Sequence, residues 1–326
     1  TNSTQEVNMS GSFNALALFA GVHGAASGLR DILGAHVEGT VDFMKEAVAT
    51  GKANGFRAIQ ADVKEIDFKR FGAIDVIVGG PPCQPFSQGG RNAGENDERD
   101  MIPEFQRAVA TLLPQVFVLE NVRGLASPRH KAYLERRVSE FEAMGYAVDW
   151  RVLDIADYGV PQSRKRLFIV GKRVDAILTG ARGEFLEKPI LWPVKRRRIT
   201  MAAALGWTRE ETIRRNLQAP VPARCVEPGD DRWAWPHERP ATTVVGSFRP
   251  EVQAAPGYRS TGDGPRQNAP GSVVTTFEER LVLQGLPADW KVEGSKTKRD
   301  LQIGNSCPPI IIADIVGRNY TSEVTA

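Results

Sequence analysis

The stretch IDVIVGGPPCQPFS, residues 74–87, decides how the rest of the sequence is interpreted. Its apolar part predicts a buried strand, and two glycines and two prolines follow at once. Glycine permits a sharp bend and proline fixes the backbone, so this loop is shaped before any ligand arrives. Cys83 then projects from a rigid turn at the rim of the sheet. A lone cysteine is usually a buried structural residue, but this setting favours a thiolate that adds to an electron-poor carbon.

The composition is that of an ordinary globular protein. Of 326 residues, 41% are hydrophobic and 25% charged, which allows one large domain or two modest ones. No apolar run is long enough to span a bilayer, and the polar stretch 1–11 predicts a flexible tail without a signal-peptide pattern. Three cysteines, with no CxxC pair or histidine cluster, predict neither disulfides nor a metal site. The sequence therefore predicts a cytoplasmic protein with no membrane partner.

The first half of the chain alternates short apolar runs with helix-like stretches, which is typical of an α/β fold with a mostly parallel sheet. The predicted strands are Ala15–Phe19, His36–Thr40, Ala58–Gln60, Asp75–Val78, Val116–Leu119, Val148–Leu153 and Leu167–Val170. The predicted helices are Ala25–Leu33, Phe43–Thr50, Glu104–Leu113, Lys131–Met144, Glu278–Gln284 and Pro308–Asn319. After Lys172, Pro, Gly, Arg and Trp become frequent, which predicts a smaller, loop-rich second region.

The net charge of +3 is unevenly distributed. Residues 191–270 hold thirteen Lys and Arg against eight Asp and Glu, and four of the six tryptophans. Arginine contacts guanine edges and phosphate alike, so this mixture suits a nucleic acid. A solvated basic face explains the charge alone equally well.

In an open parallel sheet, ligands bind at the carboxyl ends of the strands. The first predicted strand runs into the glycine turn FAGVHG (19–24), which lets a ligand approach the backbone closely. Acidic residues follow the next two strands: Asp42, beside the ring of Phe43, and Asp62, beside Val63. Each acid could be a capping residue on its own. One acid at each strand end favours a nucleoside cofactor.

The later strands carry candidate catalytic groups. Glu120 directly follows an apolar strand and suits a partly buried acid that donates or accepts a proton. A short connection joins the last two predicted strands of the first half, which predicts that the final one is antiparallel. Its first residues then lie where the other strands end, which places Arg164 and Arg166 near Cys83 and Glu120.

These pieces, in this order, resemble the motifs of bacterial cytosine-5 DNA methyltransferases. The matching motifs are FAGVHG (19–24), Asp42-Phe43, ADV (61–63), GGPPCQPFS (79–87), ENV (120–122), PQSRKR (161–166) and GNSCPP (304–309). The resemblance implies a Rossmann-like methyltransferase domain, with a mostly parallel sheet and one antiparallel strand, plus a small loop-rich target-recognition domain. The implied catalytic domain is 12–190, completed by 298–326, and the recognition domain with its hinge is 191–297.

The resemblance also implies a reaction. A methyl group would pass from S-adenosylmethionine to carbon 5 of cytosine in a specific double-stranded DNA sequence, leaving S-adenosylhomocysteine. Cys83 would add to carbon 6 of a cytosine flipped out of the duplex. Glu120, with its pKa raised by burial, would carry a proton to N3. Arg166 would bind the exocyclic O2, Arg164 would support the adduct or its backbone, and 88–100 would form a mobile lid.

Further residues are assigned to ligands by the same resemblance. The implied cofactor contacts are Phe19, Gly21, Gly24, Asp42, Phe43, Asp62, Val63, Pro82, Asn305 and Ser306. The implied DNA contacts are Ser87, Gln162, Arg196, Arg197, Arg232 and Arg249. The implied partners are double-stranded DNA and a restriction enzyme or another defence protein, and the enzyme would act as a monomer.

Three positions differ from the family's usual pattern. Ala17 replaces an acid. His23 replaces a glycine and would stand where the methionine end of the cofactor passes, so both changes predict altered cofactor affinity. An arginine is missing near 275–279, which bears on how firmly the recognition region is held.

Two other functions remain open. One branch of the family acts on transfer RNA, but the Cys-Phe-Thr triplet of that branch is absent here. A catalytically weak member could instead serve as a sequence-specific DNA-binding module. The altered first motif favours that alternative, and the intact catalytic residues oppose it.

Overall fold

The computed structural model describes residues 12–82, 100–174, 190–206 and 276–320, together with 241, 244, 252–253 and 273–274. Within these residues, seven strands form one sheet. The strands are β1 (Asn14–Leu18), β2 (His36–Asp42), β3 (Ala58–Gln60), β4 (Val76–Gly79), β5 (Val116–Val122), β6 (Tyr146–Asp154) and β7 (Lys165–Arg173). Each predicted strand is present, within a few residues of its predicted limits. A separate pair joins β8 (Val252–Gln253) to β9 (Val273–Val274).

The strand order in the sheet is β3-β2-β1-β4-β5-β7-β6. Neighbouring strands are parallel except at β7, which runs antiparallel to both β5 and β6. The predicted sheet with one antiparallel strand is therefore confirmed. Because β7 runs in reverse, Arg166 at its start pairs with Val122 at the end of β5 and with Leu153 near the end of β6. We call this side of the sheet, where the parallel strands end and β7 begins, the carboxyl edge.

Both faces of the sheet are buried. In β1, Ala15 and Ala17 belong to one apolar layer and Leu16 and Leu18 to the other, and none is more than 1% exposed. Parallel strands buried on both faces need apolar side chains at every position, since neither face meets water. This is why the strands are visible in the sequence as continuous apolar runs.

Helices cover the two apolar layers. They are α1 (Gly24–Ser27), α2 (Lys45–Ala53), α3 (Ile102–Leu112), α4 (Lys131–Ala143), α5 (Met201–Leu205), α6 (Phe277–Leu283), α7 (Lys296–Gly304) and α8 (Pro309–Asn319). A π-helical turn, Gly28–Ile32, continues α1. The sequence does not predict α7, because the side chains that this helix buries include Asp300 and Gln302 and show no apolar period. Among the described residues, none of the helices has the length and hydrophobicity needed to cross a membrane.

The stretch 276–320 begins with a well-defined helix start. Thr276 and Glu279 form a capping box, in which each side chain hydrogen-bonds the backbone of the other at the start of α6. The same helix buries Arg280, whose Nη1 lies 2.7 Å from Oδ1 of Asp300. This buried pair anchors α6 to α7, close to the position where the family's usual arginine is missing.

The same stretch packs onto the first half of the chain. The indole N–H of Trp290 donates to the carbonyl of Val22 at 3.0 Å. At the start of α8, a Cβ on Gly28 would lie 2.3 Å from the carbonyl oxygen of Pro309, so only glycine allows this approach. Residues from 276 onward thus pack against the first half of the chain, although part of them was predicted to belong to the recognition domain. The limits of that domain remain a prediction, because 207–240 and 254–272 lie outside the described residues.

Candidate active site

The loop that follows β4 passes directly over the end of β5. A Cβ on Gly80 would lie 3.1 Å from Oε2 of Glu120, so the backbone of this loop lies close to the carboxyl group. The side-chain amide of Asn121 donates to the carbonyl of Pro81 at 3.3 Å, which holds the loop there. Pro82, which is exposed, is the last described residue before the lid. The predicted site residues outside the described residues are Cys83, Ser87, Arg232 and Arg249, together with 88–99 of the predicted lid.

Glu120 is buried in β5 and 9% exposed. Its Oε1 lies 2.9 Å from Nε of Arg166, so the predicted proximity of these two residues is confirmed. That oxygen is buried, and among the described residues its one polar contact is the guanidinium of Arg166. Burial raises the pKa of the Glu120 carboxyl above its ordinary value, against the opposing charges of Arg166 and Arg164. The Glu120 carboxyl group can therefore hold a proton and still form a hydrogen bond with a ligand.

Arg164 contacts the backbone of two other segments. It is 2% exposed, and its guanidinium donates to the carbonyls of Val244 at 3.0 Å and Gly304 at 2.8 Å. Gly304 opens the GNSCPP motif, so Arg164 ties the start of β7 to that motif. Both contacts are to backbone carbonyls, so the guanidinium holds the backbone at this edge of the sheet. A role for Arg164 in supporting an adduct stays a prediction.

Gln162 is fully buried, at 0% exposure. Its amide nitrogen donates to the carbonyl of Leu283 at 3.0 Å and to Oε1 of Gln284 at 3.1 Å. Its amide oxygen accepts the backbone N–H of Val244 at 2.8 Å. The predicted DNA contact of Gln162 does not fit this burial, because both amide hydrogens already bind protein atoms. The residue instead joins the connection before β7 to the end of α6.

The turn between β1 and α1 has an unusual backbone. Phe19, Gly21 and His23 have φ angles of 55°, 52° and 68°, in the left-handed region that favours glycine. The backbone N–H of Gly21 donates to Oδ2 of Asp42 at 2.8 Å, and that of Met44 donates to Oδ1 at 2.8 Å. Among the described residues, apart from its two chain neighbours, none has an atom within 4 Å of the place that a Cβ on Gly21 would occupy, so the backbone there has room for a ligand.

Acidic and aromatic side chains follow β2 and β3, as predicted. Burial raises the pKa of the Asp42 carboxyl, against the opposing hydrogen bonds from the backbone. Phe43, next to it, is 72% exposed. Asp62 accepts a hydrogen bond from the backbone N–H of Lys64 at 3.0 Å, which is a capping contact, and Val63 is buried. These side chains share the carboxyl edge with the turn of Gly21.

The GNSCPP motif lies against the glycine turn. A Cβ on Gly24 would lie 2.3 Å from the carbonyl oxygen of Cys307 and 2.7 Å from Oγ of Ser306. Gly24, a predicted cofactor contact, is therefore needed for packing between the first and last motifs. Ser306 is buried and Asn305 is exposed, which leaves Asn305 as the member of this motif that faces solvent.

His23 does not stand where the sequence analysis expected. Its ring is 1% exposed, with Nδ1 3.0 Å from the carbonyl oxygen of Gly21 and Nε2 3.0 Å from Oγ1 of Thr40. The ring is thus enclosed behind the turn, between β2 and α2, and does not obstruct its open side. Ala17 is buried within β1, at 1% exposure, and does not reach the turn.

Two further predicted DNA contacts, Arg196 and Arg197, are described by the structure, and Arg196 forms an ion pair within the protein. Nη2 of Arg196 lies 3.0 Å from Oδ2 of Asp314, although the Arg196 side chain is 49% exposed. Arg197, its neighbour, is exposed. Arg196 therefore has a structural partner in α8, and Arg197 presents its charge to solvent.

Two residues near the site were missed by the sequence analysis. Burial and then the charge of Glu120 raise the pKa of the Cys307 thiol well above its ordinary value, so this thiol shares the environment of the carboxyl group. The sequence feature that could have indicated Cys307 is its position within the GNSCPP motif. Arg107, in α3, donates to the carbonyls of Val63 and Ile66 and supports the turn after β3. Nothing in the sequence around Arg107 indicates this contact, because both carbonyls belong to a distant segment.

Comparisons with known proteins agree with this arrangement. The sequence profile of the family described as C-5 cytosine-specific DNA methylase matches residues 13–320. The Type II methyltransferase M.NgoMIV of Neisseria gonorrhoeae is 30% identical over 94% of this chain and 96% of its own length. The Type II methyltransferase M.AplI of Arthrospira platensis is also 30% identical, over 91% of this chain and 82% of its own length.

Solved structures show the same fold. A variant of DNMT2 from Spodoptera frugiperda has a TM-score of 0.64 at 16% identity, covering 94% of this chain and 99% of that one. A putative DNA modification methyltransferase encoded in an E. coli prophage has a TM-score of 0.56 at 23% identity, covering 94% and 98%. The chain belongs to the C-5 cytosine-specific DNA methylase family. It is an enzyme of the cytosine-5 DNA methyltransferase class, and its similar curated relatives are Type II methyltransferases.

Proposed function

We propose that this chain methylates carbon 5 of cytosine in a specific sequence of double-stranded DNA, through a covalent bond between Cys83 and the cytosine. The observation that carries the proposal is the pair of Glu120 and Arg166 at the carboxyl edge, where a buried carboxylate oxygen has Arg166 as its one polar contact among the described residues. Buried polar groups are normally hydrogen-bonded, so this one is suited to a ligand. The loop that leads to Cys83 passes within reach of the same carboxyl group.

The glycine turn fits S-adenosylmethionine as the methyl donor. The space beside Gly21 is open, Asp42 keeps a second lone pair on each oxygen for a ribose, and the exposed ring of Phe43 offers a face for adenine. When bound, S-adenosylmethionine supplies an electrophilic methyl group on its sulfonium and leaves as S-adenosylhomocysteine. We further propose that Phe19, Asn305 and Ser306 line the same pocket.

The residues of this chain would activate the cytosine. Carbon 5 is a poor nucleophile until the thiolate of Cys83 bonds to carbon 6. Glu120 donates its proton to N3 as that bond forms, and its raised pKa keeps the proton available. Arg166 stabilises the negative charge that grows on the exocyclic O2. Carbon 5 would then take the methyl group, and loss of its proton to water would send the electron pair back into the ring and expel the thiolate of Cys83. N3 would return its proton to Glu120, which restores both residues.

This chemistry requires the cytosine to leave the duplex, because a stacked base cannot reach Glu120 and Arg166 together. We propose that the Arg- and Trp-rich region 191–275 recognises the target sequence, with most of its polar contacts to phosphate. The half-exposed Arg196 and exposed Arg197 are the described candidates for such contacts. The Type II names of the relatives favour a role in restriction–modification, with a restriction enzyme as the functional partner and a monomeric enzyme on DNA.

The test is transfer of a labelled methyl group from S-adenosylmethionine to nucleic acid. We expect label on duplex DNA, located at carbon 5 of cytosine by bisulfite sequencing, and none on transfer RNA. Label on RNA alone would replace DNA with RNA as the substrate. Tight, sequence-specific DNA binding without transfer would instead identify a DNA-binding module.

A further inference from the structure

His23 has a backbone conformation that an ordinary side chain avoids. Its φ is 68°, and non-glycine residues in this left-handed region are uncommon and strained. The strain is compensated by complete burial of the ring, which is 1% exposed. Such a residue persists only where its surroundings determine it strongly, so its contacts indicate what it does.

The ring of His23 connects two parts of the cofactor turn. Nδ1 lies 3.0 Å from the carbonyl oxygen of Gly21, the residue whose N–H is bound by Asp42. Nε2 lies 3.0 Å from Oγ1 of Thr40, two residues before Asp42 in β2. The turn is thus fastened to β2 twice, once through Asp42 and once through the imidazole.

The hydrogen-bond roles of the two ring nitrogens follow from their partners. A carbonyl oxygen only accepts, so Nδ1 carries the hydrogen and donates to Gly21. Burial lowers the pKa of His23 to about 4, with a smaller effect of Arg30 and an opposing one from the Gly21 carbonyl. The ring is therefore neutral at neutral pH, which leaves Nε2 without a hydrogen and makes it the acceptor for the hydroxyl of Thr40.

The space for this ring is built by other residues. A Cβ on Gly51 in α2 would lie 2.2 Å from Nε2 of His23, so only glycine fits at that position. Phe56 stacks on the imidazole with ring centroids 5.4 Å apart. Trp290 in turn lies 6.3 Å from Phe56. Gly51 and Phe56 therefore leave a space that the imidazole of His23 fills and that a glycine at position 23 would leave empty.

We propose that His23 is a positioning residue that holds the turn at Gly21 in the shape that binds S-adenosylmethionine, by linking it to Thr40. The inference rests on the proposed function, since it takes this turn to be the cofactor site. It reverses the expectation from the sequence, in which His23 obstructs the cofactor.

The test measures the Kd for S-adenosylmethionine by calorimetry in three variants. His23→Gly removes the ring and relieves the strain, Thr40→Val removes only the hydroxyl, and the double variant combines them. We expect about tenfold weaker binding in His23→Gly and about threefold in Thr40→Val, with the double variant equal to His23→Gly because both act through one link. The KM for S-adenosylmethionine should rise while kcat at saturation stays within about twofold.

Phe56→Leu is the matched control, since it removes the stacked ring and leaves both hydrogen bonds. It should lower the melting temperature while the Kd for S-adenosylmethionine stays within about twofold of wild type. An unchanged Kd in His23→Gly, or additive effects in the double variant, would overturn the inference. Should His23→Gly fail to fold, an unchanged Kd in Thr40→Val alone would overturn it. A wild-type chain that binds no S-adenosylmethionine would overturn the proposed function instead.

Discussion

The two ends of the carboxyl edge differ in how completely their polar groups are bound. At the cofactor end, the carboxylate of Asp42 accepts two backbone hydrogen bonds and the imidazole of His23 has a partner on each nitrogen. At the proposed cytosine end, Glu120 is buried, and among the described residues its Oε1 has only the ion pair with Arg166. The polar groups at the first end are hydrogen-bonded within the protein, whereas the Glu120 carboxyl group at the second end can accept further hydrogen bonds from a ligand.

The difference indicates that the first end contributes to the affinity for the cofactor and the second to the rate of reaction. Preorganised hydrogen bonds lower the entropic cost of binding a flexible cofactor. An incompletely bound carboxyl group in a buried site has a raised pKa and gains most from a substrate that supplies the missing partner. Changes at the cytosine end should therefore reduce the rate, and changes at the cofactor end should reduce affinity or stability.

The largest expected effect is at the cytosine end. Cys83→Ala should lower methyl transfer by at least about 10³-fold, because no other group replaces the nucleophile. DNA binding, measured by gel shift, should stay within about twofold. Measurable turnover near the wild-type rate in this variant would remove the covalent step from the mechanism.

The next effect concerns Glu120. Glu120→Gln keeps the shape of the side chain but cannot deliver a proton to N3, so kcat should fall by about 10²- to 10³-fold. The Kd for S-adenosylmethionine should be unchanged, since the cofactor end is held by its own hydrogen bonds. Glu278→Gln, at an exposed position of α6, is the control and should behave as wild type. A weakened cofactor affinity in Glu120→Gln, with kcat preserved, would contradict the separation of the two ends.

A smaller effect appears in the pH dependence of stability. The pKa of His23 is about 4 in the folded protein and 6.5 ordinarily. Between these pH values the unfolded chain binds the proton more readily than the folded protein. The free energy of unfolding therefore decreases by about 3 kcal/mol as the pH drops from 6.5 towards 4. Arg30, the charged group that faces the ring, acts in the same direction.

Urea unfolding at pH 7 and pH 4.5 measures this loss. The decrease in the free energy of unfolding should be smaller in His23→Gly than in wild type. His36→Gln, which changes an exposed histidine, should retain the wild-type decrease. An equal decrease in wild type and His23→Gly would show that His23 is not the responsible group.

The smallest effect is expected at Phe43. Its ring is 72% exposed and packs on little of the protein, so Phe43→Ala should leave the melting temperature nearly unchanged. The Kd for S-adenosylmethionine should rise by about tenfold through the loss of stacking on adenine. Leu113→Ala, another exposed apolar side chain, provides the comparison. Equal cofactor affinity in both variants would exclude Phe43 from the cofactor site.

The sheet and one contact of the candidate site could be predicted from the sequence because their causes are local. Strands buried on both faces are continuous apolar runs, and a short connection forces β7 to run in reverse. The meeting of Arg166 with Glu120 follows from that reversal alone.

Contacts set by distant segments could not be predicted. Gln162 and Arg164 stand in a basic, polar motif that suggests solvent and DNA, yet their partners come from Val244, from α6 and from Gly304. His23 was taken as an obstruction because the room that Gly51 provides, in a different element, leaves no mark on the local sequence. The position of a buried polar side chain is set by its hydrogen-bond partners, and neither periodicity nor spacing identifies a partner that is about a hundred residues away.

The most direct test is covalent trapping. Duplex DNA that carries 5-fluorocytosine at the target site cannot lose a proton from carbon 5, so the bond from sulfur to carbon 6 should persist after methyl transfer. We predict a protein–DNA adduct that survives denaturing electrophoresis, that maps by mass spectrometry to the peptide of Cys83, and that is absent from Cys83→Ala. Methylation of ordinary DNA by an enzyme that forms no such adduct would contradict the account.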